Sequence, residues 1–318
     1  MASTRSPSPG GSDSDAGGFD FMEEPSSFRP ATPPPTIRSY KRRKFGGHGP
    51  PLSPSSDSVE VGLVSGHPLW GHILYPAAIA MSRFLELHSD TLLRSTDGKG
   101  KGKAVIELGA GGGLPGLVAA LEGADQVVIS DFPDPALVNN LAKNVEMNIE
   151  KKEGIAETKA MGFTWGSTPA PLFEAINDAS PSSAPAEDRK FDLILLSDLV
   201  FNHSQHAALL DSCLSLLSPS LTSPQSAPSS TEPLPLPLPE IDLSENKLTT
   251  PAVLCFFSHH RPTQQLIEAD LGILSLARAR GWKVTRVWKD EGAGPAFPED
   301  EGDLCIRGTV HGWAFTRE

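Results

Sequence analysis

The chain has 318 residues, 38% of them hydrophobic and 7% aromatic, and its 27 Lys and Arg against 39 Asp and Glu leave a formal net charge of −12. No apolar run reaches 18 residues, which excludes a transmembrane helix and predicts a soluble protein with no membrane partner. The acid excess opposes docking on phosphate backbones, because a nucleic-acid binder needs clustered positive charge on its working face, so no nucleic-acid partner is expected.

The first residues, MASTRSPSPGGSDSD, lack the apolar core of a secretory signal. Cys213, Cys255 and Cys305 are too few and too scattered for a disulfide framework or a zinc site, so a reducing compartment, cytosol or nucleus, is expected, with no metal. Residues 1–58 are rich in Ser, Pro and Gly, a composition that cannot bury enough apolar surface to offset its ordering entropy, and are expected to be largely disordered. Within them FDFMEEPSSFRP carries the aromatics Phe19, Phe21 and Phe28 that could dock on a partner. The basic cluster at 41–44, in RSYKRRKFG, has two readings, a nuclear-import or nucleic-acid contact and a solvated linker.

From residue 59 to 318 strand and helix signals alternate. KAVIEL (103–108) is a strand running into a Gly cluster, and LPGLVAALEG (114–123) is a helix that stops at Gly123. QVVISD (126–131) is the next strand, and the helix of DPALVNNLAKNVEMNIE (134–150) starts with Asp134 as N-cap and Pro135 at its first position. FDLILLSD (191–198) has the unbroken apolar character of a strand buried on both faces, followed by a helix over 204–217. The Pro- and Ser-rich stretch at 218–250 is too long for an ordinary connection and is expected to be a disordered insertion. AVLCFFSHH (252–260) is a strand, 263–281 a helix, and WKVTRVW (282–288) and LCIRGTVHGWAF (304–315) are two consecutive strands. The pattern predicts an α/β fold with an open, mainly parallel sheet covered by helices.

Ligands of such sheets bind beyond the carboxyl ends of the strands, which directs attention to VIELGAGGGLPG (105–116). It contains a G-x-G-x-x-G string at 111–116, but a dinucleotide fingerprint starts directly after its strand, and here Glu107, Leu108, Gly109 and Ala110 intervene. The better parse is Glu107-x-Gly109-x-Gly111-x-Gly113, the acid-plus-glycine turn of S-adenosylmethionine-dependent methyltransferases. Glycines let the backbone approach the ligand, and a carboxylate suits the ammonium at the methionine end. A second acid, Asp131, ends the next strand, placed to accept hydrogen bonds from ribose hydroxyls.

Taken together, SGHPLWGHILYPAAIAMSRFLE, VIELGAGGGLPGL, SDFPDP, the WG at Trp165 and FDLILLSDLVFNHSQH resemble, in order and spacing, the fungal N-terminal and lysine methyltransferases of translation elongation factor 1-alpha, formerly classed as nicotinamide N-methyltransferase-like. The resemblance covers roughly residues 19–317 apart from the insertion. It implies a Rossmann-like, seven-stranded class I methyltransferase sheet whose last strand is antiparallel, cytoplasmic residence and S-adenosylmethionine as cofactor. It also implies contacts with that cofactor from Trp70, Gly109, Ala110, Gly111, Asp131, Trp165 and Ser197. Neither the insertion nor the KRRK cluster belongs to the resemblance.

SDLVF ends the strand at 191–198 and offers an acid-x-x-aromatic pair, Asp198 and Phe201, as catalytic candidates. Enzymes that methylate nucleobase or glutamine amides often carry prolines between such a pair; Leu199 and Val200 stand there instead, which favours an amine substrate. Asp198 could orient the amine and Phe201 could hold an alkylated ammonium by cation–π attraction. His259 or His260 could accept a proton, or serve a structural hydrogen bond. Three functions follow as alternatives: a monomeric methyltransferase of the N-terminal residue and an adjacent lysine of elongation factor 1-alpha, a small-molecule (nicotinamide-like) N-methyltransferase, or a cofactor-binding interaction protein without turnover.

Overall fold

A computed structural model describes residues 35–43, 57–65, 72–95, 102–149, 155–177, 189–219 and 248–317. The docking stretch around Phe19, the cofactor candidate Trp70 and most of the expected insertion, 220–247, lie outside the described residues.

Seven strands form one sheet: β3 (Ala104–Leu108), β4 (Gln126–Asp131), β5 (Glu157–Gly162), β6 (Leu193–Ser197), β7 (Ala252–Ser258), β8 (Lys283–Asp290) and β9 (Val310–Thr316). Their order is β5-β4-β3-β6-β7-β9-β8. Strands β5, β4, β3, β6 and β7 pair in parallel, while the last strand, β9, slots antiparallel between β7 and β8. This is the seven-stranded Rossmann-like arrangement of class I methyltransferases. The chain order reverses between β3 and β6, so the crevice at their carboxyl ends is the switch point where ligands of open α/β sheets bind.

The continuous apolar runs are buried on both faces, and alternate residues serve different layers. Val105, Val127, Ile129, Leu193, Leu195 and Leu254 pack under α1 (Pro76–Leu87), α3 (Leu114–Leu121) and α4 (Pro135–Asn148). Their sequence neighbours Ile106, Val128, Ile194, Leu196 and Val253 face α5 (Ala170–Asn177), α6 (His206–Leu216) and α7 (Gln264–Ala279). Helix α4 begins as expected, with Asp134 accepting a hydrogen bond from the Ala136 N–H and Pro135 in the first turn. The stretch 304–315 is not one strand. Asp303 caps a short helical turn, α8 (Leu304–Arg307), and β9 starts only at Val310.

Within the segment expected to be largely disordered, residues 36–41 form a strand. Strand β1 (Thr36–Lys41) pairs antiparallel with β2 (Ser58–Leu63), and Val59, Val61 and Leu63 point into the core. Nor is the basic cluster a solvated linker throughout. Arg42 is buried, its guanidinium 2.6 Å from the Glu122 carboxylate and also bonded to the Leu121 carbonyl, while the Arg43 N–H donates to Glu86. Among the described residues no helix is long and apolar enough to cross a membrane, and no group of three or more His, Cys, Asp or Glu is placed to hold a metal ion.

Candidate functional site

The turn after β3 carries positive φ at Gly109 (61°) and Gly111 (56°). At Gly109 the need for glycine is doubled, because a Cβ would meet Leu199 Cδ2 at 2.7 Å and Trp165 Cζ2 at 3.1 Å. At Gly111 a Cβ would meet nothing within 4 Å, since the residue faces open space. The turn is held by its neighbours: the Ala110 N–H donates to the Ser130 carbonyl at 3.0 Å, and the Gly111 N–H to Asp131 Oδ2 at 2.7 Å. Asp131 Oδ1 also accepts the Phe132 N–H.

A cavity of about 810 Å³ opens at this edge. Gly109, Ala110, Gly111, Asp131, Trp165, Ser197, Asp198 and Phe201 all line it, so the structure brings together eight residues singled out from the sequence. Ser197 Oγ is buried with no hydrogen-bond partner in the protein, a polar atom available to a bound group. Tyr75, at the start of α1, and Phe132, half exposed beside Asp131, line the cavity too and were missed.

Glu107 stands elsewhere. It is fully buried behind the turn, outside the cavity lining, with Oε2 accepting the Gly116 N–H at 2.8 Å and Oε1 unpaired. Burial first, and the Asp131 charge second, push its carboxyl up to about 8 against the opposing Gly116 hydrogen bond. The acid expected to meet an ammonium instead clamps the first turn of α3 to the end of β3.

A second cavity of about 470 Å³ adjoins the first through the shared walls of Tyr75 and Phe201, and adds His203, His260, Arg261, Leu266, Asp270, Phe297 and Asp300. Asp198 sits at the junction in a left-handed conformation (φ 59°), unusual for a residue with a side chain, and is 4% exposed. Its Oδ1 accepts the Ser258 N–H and its Oδ2 bonds His260 Nε2 at 2.9 Å. Burial disfavours the His260 imidazolium, but the charge and hydrogen bond of Asp198, with Asp270 beyond, outweigh it and raise its pKa. Burial, aided by Asp198, likewise holds the Tyr75 hydroxyl well above the ordinary tyrosine range. The His260 ring lies 5.8 Å from Tyr75, 5.5 Å from Phe297 and 6.4 Å from Phe201, centroid to centroid, so aromatic faces surround the junction. His259 faces the other way and bonds Asp270, which also holds His203. Only the fold separates the roles of the two adjacent histidines.

The family model described as lysine methyltransferase matches residues 65–223, half of the chain. Over 96% of its length the chain is 33% identical to the protein N-terminal and lysine N-methyltransferase efm7 of Schizosaccharomyces pombe, 97% of which is covered. The chain belongs to the lysine methyltransferase family. Within the family it is also 39% identical, over 80% of this chain and 75% of the relative, to the protein N-terminal and lysine N-methyltransferase EFM7 of Cryptococcus neoformans. The Candida albicans protein of the same name is 34% identical over 92% of this chain and 93% of its own. Among solved structures, magnesium protoporphyrin IX methyltransferase from Synechocystis PCC 6803 with bound SAH has a TM-score of 0.40 at 10% identity, over 76% of this chain and 82% of that one. This family member is a methyltransferase, and S-adenosylmethionine is its methyl donor. The residues present suit that group: an open glycine backbone, a carboxylate at the end of β4, an aromatic wall and the unpaired Ser197 hydroxyl.

Proposed function

We propose that the chain is a monomeric, cytoplasmic enzyme that methylates the α-amine of the N-terminal residue and an adjacent lysine of translation elongation factor 1-alpha. The observation that carries this reading is the acidic, aromatic junction between two adjoining cavities. One has the features a methyl donor needs, and the other leads away from Asp198 with room for a polypeptide end. The names of the relatives, protein N-terminal and lysine N-methyltransferases, support an amine on a protein as acceptor.

In this reading the Gly109–Gly111 backbone, Asp131, Trp165 and Ser197 hold the donor, with Asp131 accepting from ribose hydroxyls. The bound cofactor supplies an electrophilic sulfonium methyl. The chain's task is to align a neutral amine with it in line and to exclude water. A lysine with a pKa of about 10.4 gives up its proton far less readily near neutrality than an α-amine at about 7.7 to 8, so the terminal amine is the easier acceptor. Asp198 accepts an N–H of the acceptor and so points its lone pair toward the donor cavity. Phe201, Tyr75 and Phe297 offer aromatic faces to the growing alkylammonium. Against burial, Asp198 raises the pKa of His260, so the imidazole is the counter-ion of Asp198 when protonated and a proton acceptor when neutral.

The test uses full-length elongation factor 1-alpha with a free or an acetylated N-terminus, read by mass spectrometry of the N-terminal peptide. The free protein is expected to gain methyl groups at its α-amine, and the acetylated one none there. An enzyme that methylates nicotinamide efficiently and never this peptide overturns the proposal in favour of a small-molecule acceptor.

A further inference from the structure

Helix α4 presents three asparagines, Asn140, Asn144 and Asn148, at intervals of four, which stacks them on one face toward the free edge of β2. Their side-chain amides complete that edge much as a neighbouring strand would. Asn144 Oδ1 accepts the Gly62 N–H at 2.8 Å while its Nδ2 donates to the Gly62 carbonyl at 2.9 Å. One helical turn on, Asn148 repeats the pair with Glu60, at 2.9 and 2.7 Å. Asn140 adds a donor to the Gly62 carbonyl at 2.8 Å.

Asn144 makes one bond that Asn148 does not. Its Nδ2 also donates to the carbonyl of Gly112, at 2.9 Å, in the turn that lines the larger cavity. Both amide hydrogens are thereby used, inside a site where Asn144 is 1% exposed. The hairpin presses on the same residue from above: a Cβ on Gly112 would lie 2.4 Å from Val61 Cγ1 and 3.0 Å from Leu63 Cδ2. Gly111 and Gly112 are thus held from two sides, by Asp131 at the Gly111 N–H and by Asn144 at the Gly112 carbonyl.

We infer that Asn144 is a positioning residue for the methyl donor, fixing the Gly112 carbonyl and so the ligand-facing backbone of the turn against the N-terminal hairpin. On this account the hairpin reaches the cofactor site through Asn144 and the Val61–Leu63 contact with Gly112, while the Asn148 bonds to Glu60 only anchor it. The inference rests on the reading that the 810 Å³ cavity holds the donor.

Asn148 supplies a matched control, since Asn148→Ala strips the same kind of bonds from the hairpin and leaves Gly112 untouched. With the full chain, Asn144→Ala is expected to raise the Kd for S-adenosylhomocysteine and the KM for S-adenosylmethionine about tenfold, the scale of one lost buried hydrogen bond. Its kcat at saturating donor should stay within about twofold, and Asn148→Ala should change neither constant by more than about twofold, because neither residue meets the reacting atoms. Both variants are expected to lower the thermal midpoint, which separates the hairpin's anchoring from its effect on the turn. If Asn144→Ala does not fold, Asn144→Ser, with a shorter hydroxyl that cannot span both carbonyls, is measured in the same way. Unchanged Kd in the folded Asn144 variant, or an equal rise in Asn148→Ala, overturns the inference. A wild-type chain that fails to bind S-adenosylhomocysteine at all would instead defeat the assignment of the cavity.

Discussion

Asp198 Oδ2 and His260 Nε2, 62 residues apart in sequence and at the ends of adjacent strands, lie 2.9 Å from each other at the junction of the two cavities. Asp198→Asn keeps the shape and tolerates the left-handed backbone, since asparagine adopts that conformation more readily than most residues. It removes the charge that would hold an amine. Turnover is expected to fall by about ten- to a hundredfold, the scale of a charge-assisted hydrogen bond, with the Kd for S-adenosylhomocysteine within about twofold. Steady-state kinetics beside calorimetry decides it; a loss confined to donor affinity would move Asp198 from the acceptor to the cofactor.

Asp131→Ala removes both a carboxylate that lines the larger cavity and the acceptor of the Gly111 N–H. Affinity for S-adenosylhomocysteine should weaken by about 1 to 3 kcal/mol, because polar groups are left unpaired on both sides of the contact. Isothermal titration reads the change, and an unaltered Kd removes Asp131 from the site.

Glu107 has a stability signature with a defined sign. Its folded pKa, about 8, lies above the ordinary value of 4.5, so the unfolded chain loses this proton first as the pH rises. The stability it contributes is fully present below about 4.5 and is lost between there and about 8. Glu107→Gln keeps an oxygen for the Gly116 N–H and abolishes that loss. The variant's thermal midpoint is expected to gain on wild type from pH 5 to pH 8. Glu86, also raised by burial, to about 7, is present in both proteins and cancels in the comparison. A difference that stays flat across this range would mean that Glu107 is ionised in the folded protein.

Arg42→Ala leaves the Glu122 carboxylate, which is nearly buried, without its 2.6 Å partner and, among the described residues, with Arg94 at 3.7 Å. Breaking one side of a buried ion pair costs about 3 kcal/mol or somewhat less where a second cation remains. Urea unfolding of the full chain should show that loss, whereas Arg38→Ala, on the exposed outer part of β1, should be nearly neutral. Equal effects of the two substitutions would deny Arg42 its structural role.

What the sequence determined by itself was local. The run from Val105 to Gly116 specifies a buried strand and a turn that needs glycine, and Asp134-Pro135 specifies a helix start, because these signals act over a few residues of backbone. The apolar runs at 126–131, 191–198 and 252–260 likewise declare a sheet with both faces covered and put Asp131 and Asp198 where strands end, while the methyltransferase architecture was implied by the family resemblance. Tertiary structure alone decided which polar groups meet. Glu107 turned inward because its place on β3 puts its side chain under α3, not over the turn. His260 and not His259 reached Asp198 because the chain bends just past the end of β7, leaving His259 on Asp270 and His260 on Asp198. The pairing of 36–41 with 58–63 was not read from a Ser- and Pro-rich stretch, since it is held by Arg42 meeting Glu122 and by Gly62 meeting Asn144, partners about 80 residues away. The asparagines recur every fourth residue, but nothing in the chain says which partner they meet, for these contacts exist only once the sheet has brought its helices to the same face.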